Sequence, residues 1–149
     1  MSLEIFIGCF RNGEPSTFPR KLVEETFGPY TTSTKDDYWV LRFPDGGECG
    51  LDVAVEPNID GFMVSRPTVS PELWKGLAEI LKRTTSVLYW SGTPCVVADA
   101  SVIPHLPPDM IESLGDPVVT TDRDRILELI RNGDQNDDED DEDEEPDDE

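Results

Sequence analysis

Positive charge is scarce in this sequence: 12 lysines and arginines stand against 33 aspartates and glutamates, a net of −21. A surface of that sign repels nucleic-acid phosphates and anionic lipid heads, which argues against direct nucleic-acid binding through a basic face and against adhesion to a membrane. Cysteine is sparse too. Cys9, Cys49 and Cys95 are an odd number without CxxC spacing, so they form neither a disulfide framework nor a zinc-ligand pattern and are expected to be reduced thiols. No apolar run nears the roughly 20 residues that cross a bilayer. The opening MSLEIFIGCF has Glu4 inside it, no basic leader and no small-residue cleavage signal, so a signal peptide is not expected and a cytoplasmic location is. Neither GxxxxGK followed by Ser or Thr nor GxGxxG occurs, leaving nucleotide-phosphate binding without a motif. No internal repeat is found, and no cofactor is implied.

What is abundant is acid, unevenly placed. DQNDDEDDEDEEPDDE, from Asp134 to Glu149, holds 13 of the 33 acidic residues, which leaves residues 1–133 with 20 against 12 basic ones, a net of −8. Like charges at that density cannot collapse onto a core, so 134–149 reads as a disordered acidic tail. Residues 1–133 read as a single domain, long enough for one hydrophobic core. Fully extended, the tail reaches about 55 Å, while its attraction fades beyond about 8 Å at physiological salt. It suits either of two roles: steering encounters with a basic partner, or simply raising solubility. Specificity has to come from a folded face. A calcium loop is excluded, because the D-x-D-x-D-G spacing and its following glutamate are missing.

Along the folded part, LEIFIGCF places Leu3, Ile5, Ile7 and Cys9 on one side and Glu4, Phe6, Gly8 and Phe10 on the other, an inner strand apolar on both faces. RNGEPST ends it with turn residues. FPRKLVEETFG offers Pro19 at a first helical position, a stripe of Leu22, Val23, Thr26 and Phe27, and Gly28 as a stop. YWVLRF, CGLDVAV and IDGFMVS, punctuated by PDGGE and EPN, predict an antiparallel meander. Trp39, Leu41 and Phe43 share a face with Cys49, Leu51 and Val53 if Phe43 opposes Cys49 and Pro44 opposes Glu48. Asp45-Gly46-Gly47 is then a three-residue loop with Gly47 in its left-handed position. The opposite face carries Tyr38, Val40, Arg42, Asp52, Ala54 and Glu56, mixed and wet.

SPELWKGLAEILKR is the clearest helix. Ser70 caps it, Pro71 opens it, Glu72 sits in the positive first turn and Lys82 and Arg83 in the negative last one, while Leu73, Trp74, Leu77, Ile80 and Leu81 form the stripe. SVLYW, CVVAD and PVVTT follow as strands, DMIESLG and DRDRILELIRNG as helices, the last ended by Gly133, with SGTP and IPHLPP as breaks. Parallel and antiparallel pairing of these later strands both stay open. The expected fold is α+β: one mixed, mainly antiparallel twisted sheet of about six to seven strands, packed by three to four helices.

Few residues carry chemistry in a recognisable spacing. Cys95 and the single histidine, His105, with Asp99 between them, are a candidate thiol and base pair. Yet Cys95 begins an apolar strand, where a buried inert thiol is the common occupant, and no glycine-rich elbow or orienting group accompanies the pair. Asp99 ends CVVAD, where sheets with parallel strands place metal-binding or catalytic carboxylates, with Asp109, Asp122 and Asp124 as companions. Capping the turn is the commoner role of such a residue. Tyr38-Trp39 and Tyr89-Trp90 are adjacent aromatics on predicted strands, so one ring of each pair faces opposite to the other. A ring exposed beside the acidic loops KDD and DGGE is what binding surfaces use; helices on both sheet faces would instead bury every ring.

The leading expectation is a non-enzymatic acidic binding protein that docks a basic protein partner, with Asp36, Asp37, Tyr38, Asp45, Glu48 and Trp90 as binding residues and the tail accelerating association. The alternatives are a metal-dependent enzyme using Asp99, a thiol enzyme using Cys95 and His105, and a regulatory or scaffold subunit. In size, acidity and lack of catalytic signatures the chain resembles the small immunity proteins that neutralise bacterial toxins by covering a basic active site. That resemblance is one of composition and spans no motif; it implies a toxin-inhibitor role and carries over no site residue.

Overall fold

A computed structural model describes residues 4–35, 37–92 and 94–131; Asp36, the acidic run 134–149 and the boundary expected at residue 133 lie outside them. In chain order the strands are β1 (Glu4–Arg11), β2 (Glu14–Pro15), β3 (Phe18–Pro19), β4 (Thr31–Lys35), β5 (Tyr38–Arg42), β6 (Glu48–Asp52), β7 (Asn58–Ile59), β8 (Gly61–Ser65), β9 (Ser86–Tyr89), β10 (Val96–Val97) and β11 (Val118–Val119). The helices are α1 (Arg20–Phe27), α2 (Pro71–Arg83), α3 (Pro108–Leu114) and α4 (123–131), with 3-10 turns at Gly28–Tyr30 and Ala100–His105.

The fold is α+β around one mixed, mainly antiparallel sheet ordered β11-β10-β9-β1-β8-β6-β5-β4, with β2 paired to β1 as a ninth strand and β3-β7 forming a separate two-stranded piece. β1 lies between β9 and β8, the inner position that its doubly apolar pattern requires. The two main-sheet strands beyond the seven predicted are β2 and β4. β2 exists because Asn12 and Gly13, with φ of 54° and 83°, turn the chain tightly enough to fold it back on β1. β4, TTSTK, is a polar edge strand with a bulge between Thr31 and Ser33; without apolar alternation it leaves no hydrophobic trace in the sequence.

The first sheet face is dry. Ile5 and Ile7 of β1, Trp39 and Leu41 of β5, Leu51 of β6, Phe62 and Val64 of β8, and Leu88 of β9 form one buried cluster with Val23 and Phe27 of α1, the Leu73, Trp74, Leu77, Ile80 and Leu81 stripe of α2, and Ile126 and Ile130 of α4. Gly76 is where α1 and α2 come close, since a Cβ there would meet the Phe27 ring at 2.6 Å. A glycine in mid-helix, unfavourable by about 1 kcal/mol on its own, thus makes room for a wholly buried ring.

Three local expectations are corrected. The β5-β6 hairpin pairs Leu41 with Cys49 and Arg42 with Glu48, two residues away from the predicted register. The loop is still three residues long but consists of Pro44, Asp45 and Gly46, and Gly46, not Gly47, takes the positive φ of 90°. Pro44 suits the first corner of the turn, and the Asp45 carboxylate accepts the Gly47 N–H at 2.9 Å, which fixes this choice. Faces survive because a shift of two preserves alternation, and Phe43, Cys49 and Val53 are buried as expected. Ser70 stands at the α2 N-cap, but its hydroxyl donates to Asp45 at 2.7 Å instead of capping the helix. Gly28 ends α1 as expected and leads on into a 3-10 turn, but Pro19 is the N-cap of α1 and not its first helical residue.

β10 is antiparallel to β9 and parallel to β11. Parallel neighbours need a crossover, and the segment between them, the 3-10 turn and α3, packs Val102, Leu106, Met110 and Ile111 against Val87, Val97 and Cys95 on the second sheet face. That face is therefore covered at the β9-β10 end.

Candidate binding face

Beyond the crossover the second face changes character. Alternation places Phe6, Gly8 and Phe10 of β1, Gly61, Met63 and Ser65 of β8, Gly50 and Asp52 of β6, and Tyr38 and Val40 of β5 on this side. Among the described residues no helix belongs to a cluster covering the β8-β6-β5 part, and Tyr38, Val40, Asp52, Met63 and Ser65 are only half-buried. Among the described residues no helix is long and apolar enough to cross a membrane.

Glycines shape this surface. Gly50 carries the Tyr38 ring over it: a Cβ there would lie 2.5 Å from the ring carbon bearing the hydroxyl, and the hydroxyl sits 3.5 Å from Ser65 Oγ. A shallow concavity of about 330 Å³ opens between Tyr38, Val40, Gly50, Glu48 and Arg66. A second, of about 390 Å³, lies over β1 and β8, where Phe6 stacks on Tyr89 with centroids 5.3 Å apart.

Carboxylates gather at the Asp52 end of the face, while Arg66 stands with Glu48 in the Tyr38 concavity. Burial, then the Asp37 and Glu4 carboxylates, push the Asp52 carboxyl above its ordinary value. Burial, then Asp60, likewise raise the Tyr89 hydroxyl. In both groups burial is the larger cause and the neighbouring carboxylates add to it. At the hairpin end Arg42 opposes Glu48 across the strands and offsets it.

The sequence-predicted binding residues separate into groups. Tyr38 and Glu48 line one concavity, and Asp37 stands at the end of the face near Asp52. Asp45 is exposed but engaged by Ser70 and Gly47, and those hydrogen bonds hold its carboxyl below the usual range. Trp90 is 2% exposed and packs in the first-face core, so its ring is not part of any surface; Tyr89, next to it, takes the outward place. Asp36 lies outside the described residues. Phe6, Asp52, Asp60 and Met63 were missed as site residues, because which part of a face stays open depends on where the crossover lies.

Compared with known proteins, the chain matches no family model, no curated protein and no solved structure.

The catalytic candidates engage other partners. Cys95 is fully buried in the second cluster, and burial raises its thiol. His105 Nδ1 accepts the Asn12 N–H at 3.1 Å and its carbonyl accepts the Gly13 N–H, so the histidine holds the β1-β2 turn. Asp99 accepts the Ser101 hydroxyl at 2.9 Å, and its carbonyl accepts the Val102 N–H, a turn role. Among the described residues no hydrogen bond joins these three, and no three His, Cys, Asp or Glu side chains gather to hold a metal ion.

The three thiols are sheltered. Cys9, Cys49 and Cys95 are all free and buried, and burial pushes Cys49 up to about 12. A thiol with that pKa is ionised at pH 8 in about one molecule in ten thousand. The native chain is therefore expected to resist an aromatic disulfide reagent at pH 8 for many minutes and to release three equivalents on unfolding. Fast labelling of one cysteine in the native state would show that one of these sites opens.

Proposed function

We propose that this chain is a non-enzymatic acidic binding protein whose open half of the second sheet face docks a basic protein. The observation that carries this reading is the stretch bearing Tyr38, Val40 and Met63, which no helix among the described residues covers, with Glu4, Asp37, Asp52 and Asp60 around it and Arg66 at its hairpin end. Rings and methionine with a charged border are the composition of interface centres. Charge is also segregated, because eight of the 12 lysines and arginines ride on α1, α2 and α4, the layer on the other side. A cationic surface approaching from solvent is drawn to the sheet side. The enzyme readings receive no support from the geometry of Asp99, Cys95 and His105.

The likeness in composition to immunity proteins makes a bacterial toxin one fitting partner; a housekeeping protein would make this chain a regulatory subunit instead. A toxin gene next to its own would favour the first, a run of metabolic genes the second.

Two substitutions test the face. Tyr38→Ala removes the ring, and Gly50→Ala displaces it, since the obstacle to the new methyl is the far end of the Tyr38 side chain. Used as bait in a cell extract, the full chain is expected to capture a basic protein that both variants bind at least about ten-fold more weakly, about 1.4 kcal/mol. Their melting midpoints should stay close to that of the parent chain. Capture of the same protein at full strength by both variants would remove the face from the interaction.

A further inference from the structure

The concavity over β1 and β8 has a construction that the general docking role does not explain. Three side chains in register across the sheet, Tyr89, Phe6 and Met63, form one wall, because Phe6 pairs with Tyr89 on one side and with Met63 on the other. The next row is Val87, Gly8 and Gly61, so two facing glycines leave a floor from which no side chain rises. Phe10 closes the far side, its ring edge 3.1 Å from where a Gly8 Cβ would stand, and Tyr89 leans in from the near side at 3.4 Å. Asp60, immediately before Gly61, is the charged residue of the lining, and no lysine or arginine belongs to it.

Stacked rings, a thioether and one carboxylate make a poor site for an anion and an incomplete one for a plain hydrocarbon. They match a flat cation: a guanidinium lies on an aromatic face with its edge hydrogens free to reach a carboxylate, and it sheds water more readily than an ammonium. We infer that this cleft receives an arginine side chain of the docking partner, the guanidinium resting against the Phe6 and Tyr89 rings and pairing with Asp60. The proposal rests on the docking reading and supplies its anchor: Tyr38 and Val40 give area, and the cleft over Gly8 and Gly61 selects the side chain.

The test uses the full chain, isotope-labelled for NMR, and two small probes, Nα-acetyl-arginine N-methylamide and its citrulline counterpart, in which an uncharged urea replaces the guanidinium. The arginine probe is expected to shift the amide signals of Gly8, Gly61 and Tyr89 with saturation in the millimolar range. Citrulline should bind at least ten-fold more weakly, Asp60→Asn should weaken the arginine probe by a similar factor, and Asp60→Glu should restore most of it. Equal binding of the two probes, or shifts confined to the acidic run 134–149, would overturn the inference. If a basic protein is still captured in a Tyr38-dependent way while the arginine probe leaves Gly8 and Gly61 unmoved, the cleft assignment fails and the docking reading stands. If neither is seen, both fail.

Discussion

Gly61→Ala is expected to destabilise the chain by about 3 kcal/mol, at the upper end of the range for forcing extra volume into a packed site, and to lower the melting midpoint by roughly 10 °C. A methyl group at Gly61 would overlap the Ile7 carbonyl oxygen and sit 3.2 Å from Gly8 Cα. Both obstacles are backbone atoms of β1, an inner strand bonded on two sides, so neither can swing away. Either β8 moves off β1 or the glycine row distorts, and each response disturbs the pairing from Glu4 to Gly8. Gly50→Ala is the matched control. It introduces an overlap of comparable severity, yet the atoms in the way belong to the end of Tyr38 and the Ser65 hydroxyl, which can rotate toward solvent. Chemical denaturation of the two variants should separate them by at least about 2 kcal/mol. A Gly61→Ala chain as stable as its parent would mean that β1 and β8 are not held so close.

Removal of residues 134–149 is expected to slow association with the captured basic partner about ten-fold or more at low ionic strength while changing dissociation little. The deletion takes away 13 negative charges and leaves a net of −8 on the remainder. Long-range attraction sets how often a productive encounter occurs, whereas contacts on the folded face set how long the complex lasts. Salt makes the distinction: near 1 M the screening length falls to about 3 Å, and the full and shortened chains should then associate at similar rates. The measurement is a series of association rates against salt for both chains. If the full chain associates equally fast at low and high salt, the run does not steer.

Much of the fold is legible in the sequence, and the reason is local. The α2 stripe from Leu73 to Leu81 and the apolar pattern of β1 are periodic signals that any burial must satisfy, and the structure buries the stripe and the Ile5, Ile7 and Cys9 side of β1 while leaving Phe6 and Phe10 half-buried. The hairpin shows where such signals stop. Face assignment for Trp39, Leu41, Cys49 and Leu51 follows from alternation alone, whereas the register depends on a contest between two adjacent glycines that the Asp45 carboxylate settles for Gly46. β4 and β2 escape detection because a polar edge strand and a two-residue strand carry no hydrophobic period.

The candidate site was less legible than the fold. Tyr38 and Trp90 looked equivalent as aromatics on strands, but one lies on the open face and the other is 2% exposed in the core. Phe6 and Phe10 read as ordinary core residues of an inner strand, and only the pairing of β1 with β8, β9 and β2 sets them around Gly8 and Gly61.

By itself, then, the sequence determined the charge of the molecule, the α+β class and the side of each strand that is apolar, since these follow from composition and from periods of two and 3.6 residues. Tertiary structure alone decided that β10 and β11 run parallel, that the crossover between them shelters one end of the second face, and that no helix among the described residues covers the other end, where Asp37 and Asp52 lie in company. Those outcomes depend on contacts between residues far apart in the chain, and no local period encodes which distant segment will arrive to cover a given face.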